Sequence, residues 1–275
     1  MRFGLDIAQH QLTWDEILTR ARLAEDAGFD GIWVFDHLKA LYGDPKGPSM
    51  EGWTLLAGLA RETSRVRLGT LVTGMTYRHP SMLAAEVVTV DHLSDGRVEC
   101  AIGAAWNEPE HRELGFAFPS LRDRMDRLEE AVQVLRRLFT EDDVTFDGRH
   151  YRLESATYNP KPIQRPHPPI WIGGEGRSRT LPIAGRYADA WHGWAGNAEE
   201  LAEINGIIDR AAEEAGRDPA SIRRASSLSI SEPWDEVRSS YDWMAAGGIE
   251  YLVVEWPTEG RGRLEEFLEK VLPTL

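Results

Sequence analysis

Short apolar runs alternate with longer segments whose apolar residues return at helical spacing, and the alternation repeats along nearly the whole chain. Arg2 to Ile7 reads as a strand, and Thr13 to Ala27 as a helix in which Ile17, Leu18, Ala21 and Ala24 share one face and Gly28 is the stop signal. GIWVFD, from Gly31 to Asp36, is a second strand. A helix near Gly52 to Glu62, a strand Val66 to Leu71, a helix Ser81 to Leu93, a strand Val98 to Gly103 and a long amphipathic helix Leu121 to Phe139 complete the first half. After an interruption, PIWIGG, ADAWHGW, the run Arg223 to Ser229 and EYLVVEW supply four further strands. Helical segments follow them at Arg177 to Tyr187, Ala198 to Ala215, Trp234 to Ala246 and Arg263 to Val271. Eight such alternations predict an α/β fold, a closed parallel (β/α)8 TIM barrel made by a single domain over residues 1–275, rather than an open doubly wound sheet with free edges.

The interruption, about 141–169, is predicted to be an insertion in the second half. VTFDGRHYRL carries an Asp147-Gly148 turn signal between two β-like runs and reads as a surface hairpin. NPKPIQRPHPP packs five prolines into a short span, so its backbone is extended and stiff, and it reads as a connector or as a flank of the barrel mouth.

In a (β/α)8 barrel the active site forms at the carboxyl ends of the strands. The residues in those places are polar or aromatic: Asp36 and His37, Thr73, Trp106 to Glu108, Gly173 and Gly174, His192 and Trp194, and Trp256. Indole walls of this kind suit a planar ring as ligand. The stretch GGEGRSRT, Gly173 to Thr180, leaves backbone N–H groups open next to a helix start and adds Arg177 and Arg179, which makes it a candidate phosphate seat, although Gly-Gly after a strand is also an ordinary turn.

Composition narrows the partners. With 42% hydrophobic and 28% charged residues the chain can fill a large core, and no apolar run approaches the roughly 20 residues of a membrane span. MRFGLDIA runs straight into a strand pattern with no signal-peptide character, so a cytoplasmic location follows by default. A net charge of −14 argues against nucleic acid and anionic membranes and leaves a small molecule as the expected partner. The lone Cys100 lies in an apolar run and reads as a buried residue, and His10, His150 and His167 lie in separate segments without ligand spacing, so no metal site is expected.

FDHL at Phe35 to Leu38, LGTLVTGMTYRHP at Leu68 to Pro80, LSDGRVECAIGAAWNEPEH at Leu93 to His111, PKPIQRPHPPIWIGG at Pro160 to Gly174 and RYADAW at Arg186 to Trp191, in this order, resemble the bacterial luciferase-like monooxygenase superfamily, in particular its branch that uses the deazaflavin coenzyme F420. The resemblance covers nearly the whole chain and is least distinctive after about Gly216. It implies a flavin or deazaflavin at the mouth of a (β/α)8 barrel and a non-proline cis peptide at Leu71-Val72, where the backbone bulges against the ring. Homodimers are common among such proteins, and a separate cofactor reductase is an expected partner.

Against this background His37 and Asp36, paired at the mouth, are the catalytic candidates, with His37 suited to proton transfer or to a hydrogen bond to the ring. Cofactor contacts are assigned to Asp36, Leu71, Val72, Thr73, Asn107, Gly173, Gly174, Glu175, Gly176, Arg177, Arg179 and Thr180. Glu108 and His111 stay open between site and scaffold. Asp91 and His92, near the end of a helix, read as structural, and the charges of Arg122 to Glu130 as a solvated helix face. Arg78, Arg165, Arg177 and Arg179 are candidates to carry the anionic tail of F420. Three functions fit: an F420-dependent oxidoreductase moving a hydride to or from a small organic substrate, an FMN-dependent monooxygenase using reduced flavin and oxygen, and a non-catalytic flavin binder. The string around Gly74 and Met75 varies among similar proteins and leaves the substrate unidentified.

Overall fold

Parallel strands pair edge to edge until the last closes on the first. The computed structural model describes residues 1–275. In chain order its elements are β1 (Arg2–Asp6), α1 (Trp14–Asp26), β2 (Gly31–Val34), α2 (Gly52–Glu62), β3 (Arg67–Thr70), the short β4 (Thr73–Gly74), α3 (Pro80–Leu93), β5 (Val98–Gly103), α4 (Glu108–Leu114) and α5 (Leu121–Thr140). The hairpin β6 (Val144–Asp147) and β7 (Arg152–Ala156) is followed by β8 (Ile170–Gly173), α6 (Thr180–Tyr187), β9 (Ala190–His192), α7 (Ala198–Glu214), β10 (Arg223–Leu228), α8 (Trp234–Ala246), β11 (Tyr251–Glu255) and α9 (Arg261–Glu266). β1 pairs with β2 on one side and β11 on the other, and β3 pairs with β5, so the eight long parallel strands form a closed (β/α)8 barrel as predicted.

Three boundaries differ from the sequence reading. WNEPEHRELG, read as loop, contains α4: Asn107 caps it, Pro109 occupies its first turn and Gly115 ends it in the left-handed region at φ 76°. α6 begins at Thr180 instead of Arg177, which leaves Gly174 to Arg179 as an open loop at the mouth. The last helix, read as Arg263 to Val271, stops at Glu266 and widens into a π turn over Phe267–Val271.

Outward-facing strand residues such as Leu5, Ile32, Leu68, Ile102, Ile172, Leu252 and Val254 join the helices in the main core. Inside the barrel, Trp33, Trp171 and Tyr251 meet with ring centroids 4.8 to 6.1 Å apart. Trp33 Nε1 donates to the Tyr251 hydroxyl at 3.2 Å, and Trp171 Nε1 donates to Glu99, which pairs with Arg67. Three such rings fit because the facing positions are glycine: a Cβ on Gly4 would lie 2.5 Å from the Tyr251 hydroxyl, and one on Gly69 would lie 2.5 Å from Trp33. The interior is therefore a plug, and only its upper end is open for a ligand.

The insertion divides. Its hairpin packs on α5, where Glu130 accepts the N–H groups of Arg149, His150 and Tyr151 at 2.9 to 3.0 Å. The proline-rich run turns instead to the amino end of the strands, with cis peptides at Asn159-Pro160 and Arg165-Pro166. There Gln164 bonds to Asp91, Arg67 and the Val98 carbonyl, and His92 bonds to the Lys161 carbonyl, which gives Asp91 and His92 the structural role read from the sequence. Arg165 donates to the Pro162 carbonyl in this segment and so lies away from the mouth, contrary to its assignment to an anionic tail. No helix is long and apolar enough to cross a membrane.

Asp6 and Glu255 are register partners at the carboxyl ends of β1 and β11. Burial pushes the Asp6 carboxyl up to about 7, opposed by the Ala8 N–H and reinforced by Glu255. A folded value above the unfolded one means that the native state holds this proton longer, so stability falls as pH rises from about 4 to about 7. Asp6→Asn, which keeps an acceptor for Ala8, is expected to raise the melting temperature over wild type by more at pH 8 than at pH 5. An equal difference at both values contradicts this reading of Asp6.

Candidate active site

The floor of the mouth is made by Leu71 and Val72, joined by the cis peptide that the resemblance implied. Val72 stands between β5 and β8: a Cβ on Gly103 or on Gly173 would come within 2.7 Å of its methyl groups. Two glycines thus let one isopropyl group form a ledge across the top of the barrel. The cavity above it measures about 500 Å³ and is walled by Ala104, Ala105, Trp106, Met125 and Trp194, with Asp36, His37, Tyr77, Glu175 and His192 as its titratable groups. Burial lowers His192 to about 4, so at neutral pH it is an uncharged ring bonded to Ser227 at 3.2 Å.

Asp36 is committed to its neighbours. Its two oxygens take the Arg78 guanidinium at 2.6 and 3.0 Å, and one also accepts the Gly74 N–H at 3.1 Å. Arg78 pairs further with Glu51 at 3.1 Å and Glu86 at 3.2 Å, so one guanidinium gathers three carboxylates from three segments. Burial pushes Asp36 up against the pull of Arg78, and burial likewise raises Glu86 to about 7. Three of its roughly four acceptor sites are thus occupied, and Asp36 anchors the turn that carries Gly74 while it also lines the cavity. Arg78, fully engaged, is unavailable to an anionic tail.

His37 has the complementary arrangement. Its Nδ1 lies 2.6 Å from Glu110 Oε2, which also accepts the Tyr77 hydroxyl at 2.6 Å, while Glu110 Oε1 accepts the N–H groups of Leu38 and Lys39 at 2.7 and 3.0 Å. Burial by itself would raise Glu110, but the bonds from His37, Tyr77 and Leu38 outweigh it and hold the group at about 2. A carboxylate only accepts, so Nδ1 carries the hydrogen and the lone pair of the neutral ring sits on Nε2, on the side chain that lines the cavity. Trp106 packs against the same imidazole edge to face, with centroids 5.5 Å apart.

Glu110 escaped the sequence reading, whereas its neighbours were considered and find other tasks. His111 is fully buried, with Nδ1 2.7 Å from the Asn107 carbonyl and Nε2 2.6 Å from Thr76 Oγ1, and it stacks on Tyr77 at 4.4 Å: it is scaffold. Glu108 is exposed. Asn107, assigned to the cofactor, caps α4 and does not line the cavity. Thr73, also assigned there, turns its hydroxyl outward to Trp53 Nε1 at 2.9 Å and Thr70 at 2.7 Å.

On the far rim Gly173, Gly174, Glu175 and Thr180 line the cavity, whereas Gly176, Arg177 and Arg179 do not. The backbone N–H groups of Glu175, Gly176, Arg177 and Ser178 donate to no protein acceptor, which leaves a run of open donors beside the α6 start. Glu175 accepts the Trp194 N–H at 2.9 Å and so shapes the rim. Arg177 bonds Glu200 and Glu203, and Arg179 bonds Asp126 and Glu129. The α5 charges are therefore more than the solvated face expected from the sequence: Asp126 and Glu129 hold the rim arginine, and Arg124 reaches the Ala105 carbonyl at 2.5 Å. Asp123, Asp126 and His150 could together face a cation, but Arg149 already bridges the two aspartates at 3.0 and 3.1 Å.

The model of the luciferase-like monooxygenase family matches residues 1–268. The chain is 31% identical over 226 residues to an F420-dependent hydroxymycolic acid dehydrogenase of Mycobacterium tuberculosis, covering 82% of this chain and 61% of the relative. It is 32% identical over 223 residues to an F420-dependent glucose-6-phosphate dehydrogenase of Microbacterium testaceum, covering 79% and 64%. The chain thus spans less than two thirds of either relative. Among solved structures, an F420-dependent secondary alcohol dehydrogenase in complex with an F420-acetone adduct superposes with a TM-score of 0.88 at 22% identity, covering 99% of this chain and 98% of that one. The coenzyme F420 dependent tetrahydromethanopterin reductase of Methanopyrus kandleri gives 0.84 at 18% identity and 99% of both chains. At these identities the structural matches establish the barrel alone.

Glu110→Ala strands four polar groups at once, and the expected loss of stability is about 3 kcal/mol or more. Glu110→Gln costs less. Because Glu110 is depressed to about 2, the advantage of wild type over Glu110→Gln is present above pH 4.5 and shrinks as pH falls toward 2. Denaturant melts of both proteins at pH 7 and pH 3.5 measure it, and an undiminished difference at the lower pH excludes an ionised Glu110 as its source.

Proposed function

The chain belongs to the luciferase-like monooxygenase family, and within that family we propose that it is an oxidoreductase moving a hydride between coenzyme F420 and a small organic alcohol or carbonyl compound. The observation that carries this reading is the bond of His37 Nδ1 to Glu110 at 2.6 Å, which leaves Nε2 without a protein partner on a side chain that lines the cavity over Val72. The relatives named as F420-dependent dehydrogenases favour the same cofactor.

The residues present fit a deazaflavin. A planar ring is accommodated on the Val72 ledge between the walls bearing Trp106 and Trp194, and the open N–H run from Glu175 to Ser178 suits its phosphate. When bound, the cofactor supplies a two-electron hydride acceptor or donor at one ring carbon. His37 does the protein's part of the chemistry: for an alcohol, Nε2 takes the hydroxyl proton as the carbon gives up its hydride, and in the reverse direction it returns that proton to the carbonyl oxygen. Glu110 stabilises the imidazolium formed in the first case, as a carboxylate behind a histidine does in other proton-transfer sites. Of the four arginines first considered for an anionic tail, Arg177 and Arg179 stand half-exposed on the rim, and a tail would bind there by exchanging with the carboxylates they already face. A homodimeric assembly and a separate enzyme that regenerates the cofactor belong to the same proposal.

Equilibrium titration with F420 and with FMN, at low and at high salt, tests the cofactor. F420 is expected to bind more tightly than FMN at both, and to lose more affinity with salt because its tail carries additional charge. Tighter binding of FMN at both salts puts the monooxygenase reading in its place. His37→Ala is expected to keep F420 affinity within about tenfold while turnover falls by about 10²–10⁴. Equal turnover would return His37 to a structural role.

A further inference from the structure

The cavity wall is mostly apolar, and its polar side chains are Asp36, His37, Tyr77, Glu175, Thr180 and His192. No lysine or arginine lines it. Four cations around it already face carboxylates: Arg78 faces Asp36, Glu51 and Glu86, Arg177 faces Glu200 and Glu203, Arg179 faces Asp126 and Glu129, and Lys39 faces Glu113. Open backbone N–H groups remain in two runs, Glu175 to Ser178 and Ala104 to Asn107; a cofactor phosphate takes the first, beside the α6 start, and neither run carries a formal charge. A second anion, on the substrate, would meet Asp36, Glu175 and a chain of net charge −14 with no counter-charge to offset its desolvation.

The rim points the same way. Trp106, after β5, is 67% and Trp194, after β9, 56% exposed beside the opening, and Leu121, one turn before the cavity residue Met125, is 61% exposed. Large apolar side chains left to water around one opening mark a surface that something apolar covers. Trp106 also packs on His37, so whatever lies on this indole is next to the Nε2 lone pair.

We propose that the substrate is a neutral alcohol or ketone whose oxygen meets His37 Nε2 or its proton and whose apolar body lies between Trp106 and Trp194, and that phosphorylated and carboxylated compounds are excluded. The inference rests on the oxidoreductase reading for the reacting oxygen. In the oxidation direction the C–H bond breaks with its electron pair going to the oxidised cofactor as hydride, the O–H proton goes to His37, and the C=O double bond forms.

Oxidised F420-loaded protein cannot turn over a ketone, so binding is measurable without reaction, by quenching of the indole fluorescence. In the series 2-butanone, 2-hexanone and 2-octanone the affinity is expected to rise about fourfold per added CH2 until the wall is covered. Hexanoate and glucose 6-phosphate are expected to bind at least tenfold more weakly than 2-hexanone. Trp106→Ala and Trp194→Ala change exposed residues, leave the fold intact by thermal melting, and are expected to flatten the chain-length increment. A flat series in wild type, or tighter binding of either anion, overturns the proposal. If F420 itself does not load, the preceding reading fails separately, and the same series on the cofactor-free protein decides between a neutral and an anionic ligand.

Discussion

One carboxylate, that of Glu110, ties together three segments which otherwise meet only at the barrel mouth. It receives His37 and the N–H groups of Leu38 and Lys39 from the loop after β2, and the Tyr77 hydroxyl from the loop before α3, while sitting itself on α4. Two oxygens with four donors form a nearly complete shell, so the group stays ionised in a place where burial would protonate it. The geometry of His37 follows from this bond. Without it, the loop after β2 would lose its fixed end and the imidazole its defined tautomer.

The second constraint is economy of charge. The chain is strongly acidic, yet its mouth is neither an acidic trap nor a basic funnel, because Arg78, Arg177 and Arg179 each face carboxylates of their own. Arg78 is the extreme case, with three carboxylates about one guanidinium beneath the Gly74 turn. What remains open is narrow in kind: a ledge of Val72, two indoles, one imidazole lone pair and a short run of backbone N–H groups. A site of this composition positions an uncharged reacting centre beside a planar ring and holds one anion at its edge.

The barrel itself was legible because each strand and helix carries its own periodicity: α2 and α8 lie where their patterns predicted them, and β5 from Val98 to Gly103 likewise. The cis peptide at Leu71-Val72 was legible only through resemblance, since nothing in those two side chains announces it. Glu110 was hidden for two reasons. Its short helix lacks an apolar stripe, although Asn107 followed by Pro109 and ended by Gly115 was a capping signal that could have found it. Its partners also lie 33 to 73 residues away, so its meaning arises only when the loops meet. The arginines misled for a similar reason: a guanidinium in a sequence declares charge but not its partner, and Arg78 and Arg165 both proved to be held by the fold.

All of this converges on the placement of one ring relative to one nitrogen. A crystal structure of the protein soaked with F420 measures that placement directly. The account requires the deazaflavin ring over Val72 with its phosphate at Glu175 to Ser178, and His37 Nε2 facing the substrate side of the ring while Nδ1 keeps its bond to Glu110. A ring bound outside this cavity, or a His37 turned away from it with the Glu110 bond broken, would contradict the account at its centre.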